Sequence, residues 1–281
     1  MVRAVAAAAA IMMVATGCSG GTSSPRTRSK TAAGGAPQPS ASTEAAPENA
    51  PVRAITGQNA ALAALPEAVR ERVPKFGPPP APTKVTLPGG GSAGWFSSIP
   101  TDQKIAFITI DDGWSKDPMA LKLFQAANVP ITLFLEINAI KDDPGYFKPL
   151  RDQAGAIIED HTISHPNLKG RSYDFQKKEI CGGADQLEKL YGKRPTLFRP
   201  PGGTHDATTL KVVHDCGMKA AFYWHETTDH GVVFYQGVHR VQPGDIILMH
   251  FRPRFVDDFL AVLKAIHKAG LTPARLEDYI P

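Results

Sequence analysis

Two aspartates stand side by side at the end of an apolar run, Asp111 and Asp112 in "ITIDDGW", and each ionised neighbour makes the other harder to ionise. Further along, "HTISH" sets His161 and His165 four positions apart, a spacing that lets two imidazoles reach one ion from a helical turn or a tight loop. Two imidazoles and a carboxylate make a donor set that suits a divalent cation with open positions, zinc most simply. A cation there would relieve the repulsion between the aspartates, because its charge favours ionisation of both. Adjacent residues at a strand end point in different directions, so one aspartate can hold the ion while the other takes a proton from water. Each signal also has a plainer reading. Either aspartate can cap the helix that follows, and a lone pair of histidines is ordinary surface or capping chemistry. Asp117, directly before Pro118, is the better cap, since proline is favoured in the first helical position.

The elements that must position these residues begin near residue 104. The strand candidates are "KIAFITI", "PITLFLEI", "GAIIEDH", "PTLFRP", "KAAFYW", "GDIILMHF" and a weak last run near "LTPARL". Between them lie "DPMALKLFQAAN", "SYDFQKKEICGGADQLEKLYG", "HDATTLKVVHDCG" and "RFVDDFLAVLKAIHKAG", whose apolar residues recur at three and four. Strand-then-helix repetition implies parallel strands with helices outside. The expected fold is an α/β barrel-like domain, shortened relative to a full eight-unit barrel of ~250 residues. In such a fold the strands' C-terminal ends carry the site, and Asp111, Asp112, His161, His165, Arg199 and His250 all fall there.

"TIDDG", "HTISH", "RPPGG" and "LMH" occur, over residues 104 to 250, in the order and approximate spacing of the polysaccharide deacetylase (NodB-like, carbohydrate esterase family four) motifs, and the chain resembles that family. The resemblance implies a distorted (β/α) barrel that uses one divalent metal, zinc by expectation, to remove acetyl groups from N-acetylated sugars of a polymer. It casts Asp111 as catalytic base, Asp112, His161 and His165 as metal ligands, His250 as general acid, and Arg199 as the residue that orients the base. Gly202 stands where the family has a tyrosine, keeping a backbone N–H for the oxyanion and losing a side-chain wall. The family's Asp-Trp pair after the fifth strand is replaced by Asp229 and His230 in "YWHETTDHG". Asp229 is the expected partner of His250, with Glu226 as its rival. Trp114, after "DDG", is either an aromatic platform or simply packed. Of the other histidines, His205 and His214 flank or occupy the helix after the fourth strand, His239 and His267 sit in surface-like polar contexts, and His225 and His230 are near enough to the site to modulate it; none is needed.

Residues 1–18 read as a lipoprotein-type export signal: Arg3, twelve apolar residues from Ala4 to Ala15, then "ATGC" ending on Cys18, too short a run to span a bilayer. A lipid on Cys18 at the outer face of the cell membrane, or secretion, is the expectation. Residues 19–58 are a Ser/Thr/Pro/Ala/Gly tether, residues 59–98 a helix restarted at Pro66 and a glycine-turned hairpin packing on the barrel, and residues 99–281 the catalytic domain. From residue 99 onward 22 Lys+Arg face 23 Asp+Glu, which excludes a nucleic-acid groove. The expected partner is an N-acetylated polysaccharide, peptidoglycan or exopolysaccharide, acted on by a monomer. Cys181 and Cys216 are either a disulfide or two buried thiols. The competing functions are a catalytically silent glycan-binding lipoprotein and an O-acetyl esterase or amidase of the same fold.

Overall fold

The run Ile105–Asp112 is apolar up to its last two positions and becomes the buried central strand of one sheet. The computed structural model describes residues 50–281, with side chains from residue 57; the export signal and most of the tether lie outside the described residues. The strands are β1 (Gly94–Phe96), β2 (Ile105–Asp112), β3 (Thr132–Leu135), β4 (Ile157–Asp160), β5 (Leu197–Phe198), β6 (Ala220–Phe222), β7 (Glu226–Asp229), β8 (Val232–Tyr235), β9 (Ile246–His250) and β10 (Thr272–Pro273). The helices are α1 (Ala50–Ala63), α2 (Glu67–Arg70), α3 (Ala120–Ala127), α4 (Ile137–Ile140), α5 (Phe147–Ala154), α6 (Tyr173–Tyr191), α7 (Ala207–Asp215) and α8 (Phe255–Lys268).

The sheet runs β1-β6-β5-β4-β3-β2-β9-β7-β8, with β10 against the start of β2. All pairings are parallel except β7 with β8. Parallel neighbours need crossovers, and the helices that make them cover the sheet, which is why its central strands are nearly continuous apolar runs. The C-terminal ends of β2, β4, β5 and β9 therefore gather on one rim. The sheet ends at β1 and β8, so this is a curled, incomplete (β/α) barrel, as the expected shortening requires.

Alternate residues of a strand face opposite sides, and β2 shows what that does. Ile108 and Ile110 pack outward with Leu133, Phe124, Phe255 and Phe259 under the helices. Phe107 turns inward with Phe134, Phe222 and Tyr279, and Thr109 and Asp111 share its side. The alternation that builds the core thus aims Asp111 into the barrel interior.

Pro66 precedes α2 as its cap residue. Leu65 is buried, and Leu62, Val69 and Val73 pack on the core, as the spacing predicts. The expected hairpin over "KVTLPGGGSAGWFSSI" does not form. Gly90 and Gly91 do turn the chain with positive φ, but its two arms find other partners. Val85 donates to the Tyr279 carbonyl, and β1 adds in parallel to β6. An unanticipated hairpin, β7–β8, follows β6. His230 (φ 53°) and Gly231 (φ 80°) form its turn, the two positive φ values that a two-residue hairpin requires.

Cys181 on α6 and Cys216 just after α7 form a disulfide, with Cα atoms 5.1 Å apart and 35 residues of separation. It closes a loop around Arg199 and Gly202 and ties together the helices that flank β5. Closing a loop of this length stabilises by about 2–4 kcal/mol, through the unfolded chain. The Cys181→Ser/Cys216→Ser variant is expected to lose that much in urea unfolding, and reductant is expected to shift the wild-type midpoint but not that of the variant.

Candidate active site

At the rim, Asp112 ends β2 with φ 72°, Thr162 has φ 73° and His165 φ 55°. These are left-handed conformations that such residues adopt only where surrounding structure imposes them. Here they aim side chains at one point. His161 Nε2 lies 3.5 Å from Asp112 Oδ1 and 3.7 Å from Asp111 Oδ2. His165 Nε2 lies 3.7 Å from the same Asp112 oxygen. Gly113, at φ 120°, must be glycine, since a Cβ there would come within 2.5 Å of Ile140.

Asp112, His161 and His165 each present one ligand atom, all within 4.8 Å of one another, and the donor chemistry fits a divalent cation. His161 Nδ1 is 2.6 Å from the Arg199 carbonyl, an acceptor only, so Nδ1 carries the proton and Nε2 keeps its lone pair for an ion. Burial pushes the His161 imidazole down to about 4, holding it in the neutral form that ligates. Asp112 Oδ1 is buried without a hydrogen-bond partner. Burial raises its carboxyl above the usual range, against the pull of His161. The ligand loop is fastened from below. Glu179 of α6 accepts from the Ser164 N–H at 3.0 Å and its hydroxyl at 3.1 Å, and Thr162 Oγ1 accepts from the His165 N–H at 3.0 Å.

Asp111 is held separately. Arg199 is fully buried, and its Nη1 donates to Asp111 Oδ1 at 2.8 Å and to Thr109 Oγ1 at 2.7 Å. Its Nη2 donates to the Tyr223 carbonyl at 3.2 Å, and the guanidinium lies over Phe134, 4.5 Å from the ring centroid. One carboxylate oxygen is thereby anchored while the other faces the His161–Asp112 cluster. Burial pushes Asp111 up to about 6, with the Arg199 charge and hydrogen bond opposing it.

His250 is the strand neighbour of Asp111 across β2 and β9. Its Nδ1 is buried without a partner, and burial, reinforced by the charge of Arg252, pushes it down to about 3. The expected partner Asp229 does not reach it. Asp229 ends β7, half-exposed beside the hairpin turn, with its Oδ1 2.8 Å from His230 Nδ1. The rival Glu226 starts β7, at the opposite end from the rim. It lies against Asp245, and burial and that carboxylate push it up to about 9.

Gly202, φ 61°, has open space where a Cβ would be, whereas a Cβ on Gly203 would strike the Tyr223 ring at 2.2 Å. Tyr223 and Trp224 stack at 4.1 Å, and Trp224 lies 5.7 Å from the Arg199 guanidinium. An aromatic wall therefore stands against Gly203, next in the chain to Gly202, although Asp229-His230 supplies no tryptophan. Sequence reasoning missed it because these residues precede the expected motif and look like strand. Glu179 was missed as well, since nothing in a helix pattern marks which glutamate turns toward a loop. Trp114 is not packed: it is 59% exposed.

A family model described as polysaccharide deacetylase matches residues 98–221. An uncharacterized protein of Streptomyces coelicolor is 35% identical over 188 residues, spanning 65% of this chain and 75% of that protein. The peptidoglycan-N-acetylmuramic acid deacetylase PdaA of Bacillus subtilis is 27% identical over 193 residues, spanning 63% of this chain and 72% of that one. Among solved structures, a CE4 family pseudoenzyme from Bacillus anthracis has the same fold, with a TM-score of 0.60 at 20% identity over 68% of this chain and 70% of that chain.

Zinc added at a hundredfold excess over its dissociation constant is expected to stabilise the protein by about 2–3 kcal/mol. The thermal midpoint should rise in the wild type and stay unmoved in Asp112→Asn or His161→Gln. Arg199→Met should cost about 3–5 kcal/mol by stranding a buried carboxylate. Asp111 already has a folded pKa of about 6, above its ordinary 3.8, and loss of Arg199 raises it further. A group raised on folding loses stability as pH climbs through that window, so the penalty in urea unfolding should be larger at about pH 8 than at about pH 5.

Proposed function

Because the chain belongs to the polysaccharide deacetylase family, we propose that it is a metal-dependent hydrolase that removes N-acetyl groups from amino sugars of a cell-envelope polysaccharide and releases acetate. The observation that carries this reading is the Asp112–His161–His165 donor set beside a separately anchored Asp111. A bound cation, zinc by its donor set, supplies polarisation of the acetamide carbonyl and a lowered pKa for water.

The chain's own residues do the rest. Asp111, with Oδ1 fixed by Arg199, takes the proton of the attacking water on its free oxygen. The Gly202 N–H, on the open side of the wall, donates to the oxyanion, a stabilisation of about 3–4 kcal/mol for a well-placed donor. His250 gives a proton to the departing nitrogen. The nearest substrate class is peptidoglycan, supported by the similarity to the peptidoglycan-N-acetylmuramic acid deacetylase PdaA and by the export reading of residues 1–18. On that reading the domain sits outside the cytoplasm, held by a lipid on Cys18 or secreted.

One observation favours a second reading, a silent glycan-binding protein. The buried Nδ1 of His250 has no hydrogen-bond partner among the described residues, and burial disfavours the protonated imidazole that a general acid needs. Acetate release from N-acetylglucosamine oligomers and from peptidoglycan decides between the two. The hydrolase is expected to release acetate, to stop with chelator, and to lose at least a hundredfold in Asp111→Asn. Since Asp111 must be ionised to act, release should fall as pH drops through about 6, and at lower pH still if a neighbouring cation holds the carboxylate ionised. Binding of glycan with no acetate from either polymer would establish the silent form.

A further inference from the structure

Trp95 and His205 have no place in the chemistry above, yet they form the tightest aromatic stack among the described residues. Their ring centroids are 3.7 Å apart at an interplanar angle of 29°. Trp95 comes from β1, outside the span matched by the family model. His205 follows directly on Gly202, Gly203 and Thr204, in the loop that carries the oxyanion donor. Both rings are half-buried, each leaving part of its surface to solvent.

The pair continues a row. The Trp95 centroid is 6.2 Å from that of Tyr223, Tyr223 stacks on Trp224, and Trp224 reaches the guanidinium that holds Asp111. The row runs along the rim from the catalytic carboxylate past Gly203 to Trp95, and its bed is built into the backbone. The β1 strand is fixed on β6 in the register Gly94↔Ala220, Trp95↔Ala221, Phe96↔Phe222. The His205 loop is fixed by Thr204 Oγ1 to Asn167 at 2.8 Å, and by Asp206, which accepts from the Gly170 N–H at 2.7 Å. Both partners, Asn167 and Gly170, lie just beyond the ligand His165, so the far end of the row and the metal cluster are braced against each other.

Partly exposed aromatic side chains on the rim that carries a polar catalytic centre suit pyranose rings, whose axial C–H faces are apolar and whose edges are hydroxylated. We propose that Trp95 and His205 form a second carbohydrate subsite that holds a ring of the glycan chain neighbouring the sugar whose acetamide lies at Asp111. This rests on the reading of the site as a glycan deacetylase, and it deepens that reading. The subsite makes the protein a reader of chain length, favouring polymer over a single sugar.

The test is equilibrium binding, by calorimetry, of N-acetylglucosamine dimer and pentamer to the zinc-loaded protein in an Asp111→Asn background that prevents turnover. Trp95→Ala and His205→Ala are compared with their parent. The parent is expected to bind pentamer at least tenfold more tightly than dimer. Each variant should lose most of that advantage, and Trp95→Tyr should keep it. In proteins with Asp111 intact, the ratio of pentamer to dimer kcat/KM should fall about tenfold with Trp95→Ala. His205 lies in a loop, so its variant reports on binding even if Trp95→Ala fails to fold. Equal binding of dimer and pentamer by the parent, or a chain-length advantage untouched by both variants, would overturn the subsite. Loss of the advantage in a protein that releases no acetate from any glycan would support the subsite while removing the deacetylase reading.

Discussion

The guanidinium of Arg199, wholly removed from solvent beneath the rim, is the interaction on which the site depends. It donates to Asp111, to Thr109 on the same strand face, and to the carbonyl of Tyr223. Its own backbone carbonyl accepts from His161. The residue directly after β5 thus fixes the candidate base, the tautomer of a candidate metal ligand and the start of the aromatic row. A buried ion pair of this kind adds little net stability, yet breaking it leaves an uncompensated charge. The arrangement is therefore all-or-none, and the catalytic geometry is tied to the integrity of the core.

Around that pair the backbone carries local strain. Asp112, Thr162 and His165 all have left-handed φ, each costing of order 1–3 kcal/mol. What holds them is hydrogen bonding from elements remote in sequence, such as Glu179 on α6. The left-handed turn at Asp112 also resolves a geometric conflict. On a regular strand, adjacent aspartates face opposite ways; here both come within 4 Å of His161 Nε2.

The rim is asymmetric. The metal-ligand side is polar, braced and built from loops after β2 and β4, while the β5–β6–β1 side presents aromatic faces. That division suits the proposed substrate, a polar acetamide carried on a pyranose whose ring faces are apolar. On the remaining side, the buried Nδ1 of His250 has no hydrogen-bond partner among the described residues, and burial with the charge of Arg252 disfavours its protonated form. That Asp229 sits against His230, leaving His250 Nδ1 unpartnered, is the largest departure from the expected motif.

The sequence by itself determined the strand-helix alternation, the rim position of Asp111, Asp112, His161, His165, Arg199 and His250, and the split of α1 from α2 at Pro66. Those follow from periodicities and motifs carried within a few adjacent residues, where local chain geometry has the final word. Tertiary structure alone decided the rest. Whether two arms around a glycine turn pair with each other or with β6 and the C-terminal segment depends on which edge is open after the sheet has formed. Asp229's contact with His230 depended on a hairpin whose turn is made by His230 and Gly231. The pairing of Cys181 with Cys216 needed two helices to be laid side by side. The aromatic row needed β1 to cross back to the rim from outside the repeating pattern. Each of these joins residues far apart along the chain, and sequence spacing holds no record of a distance that only the packed sheet sets.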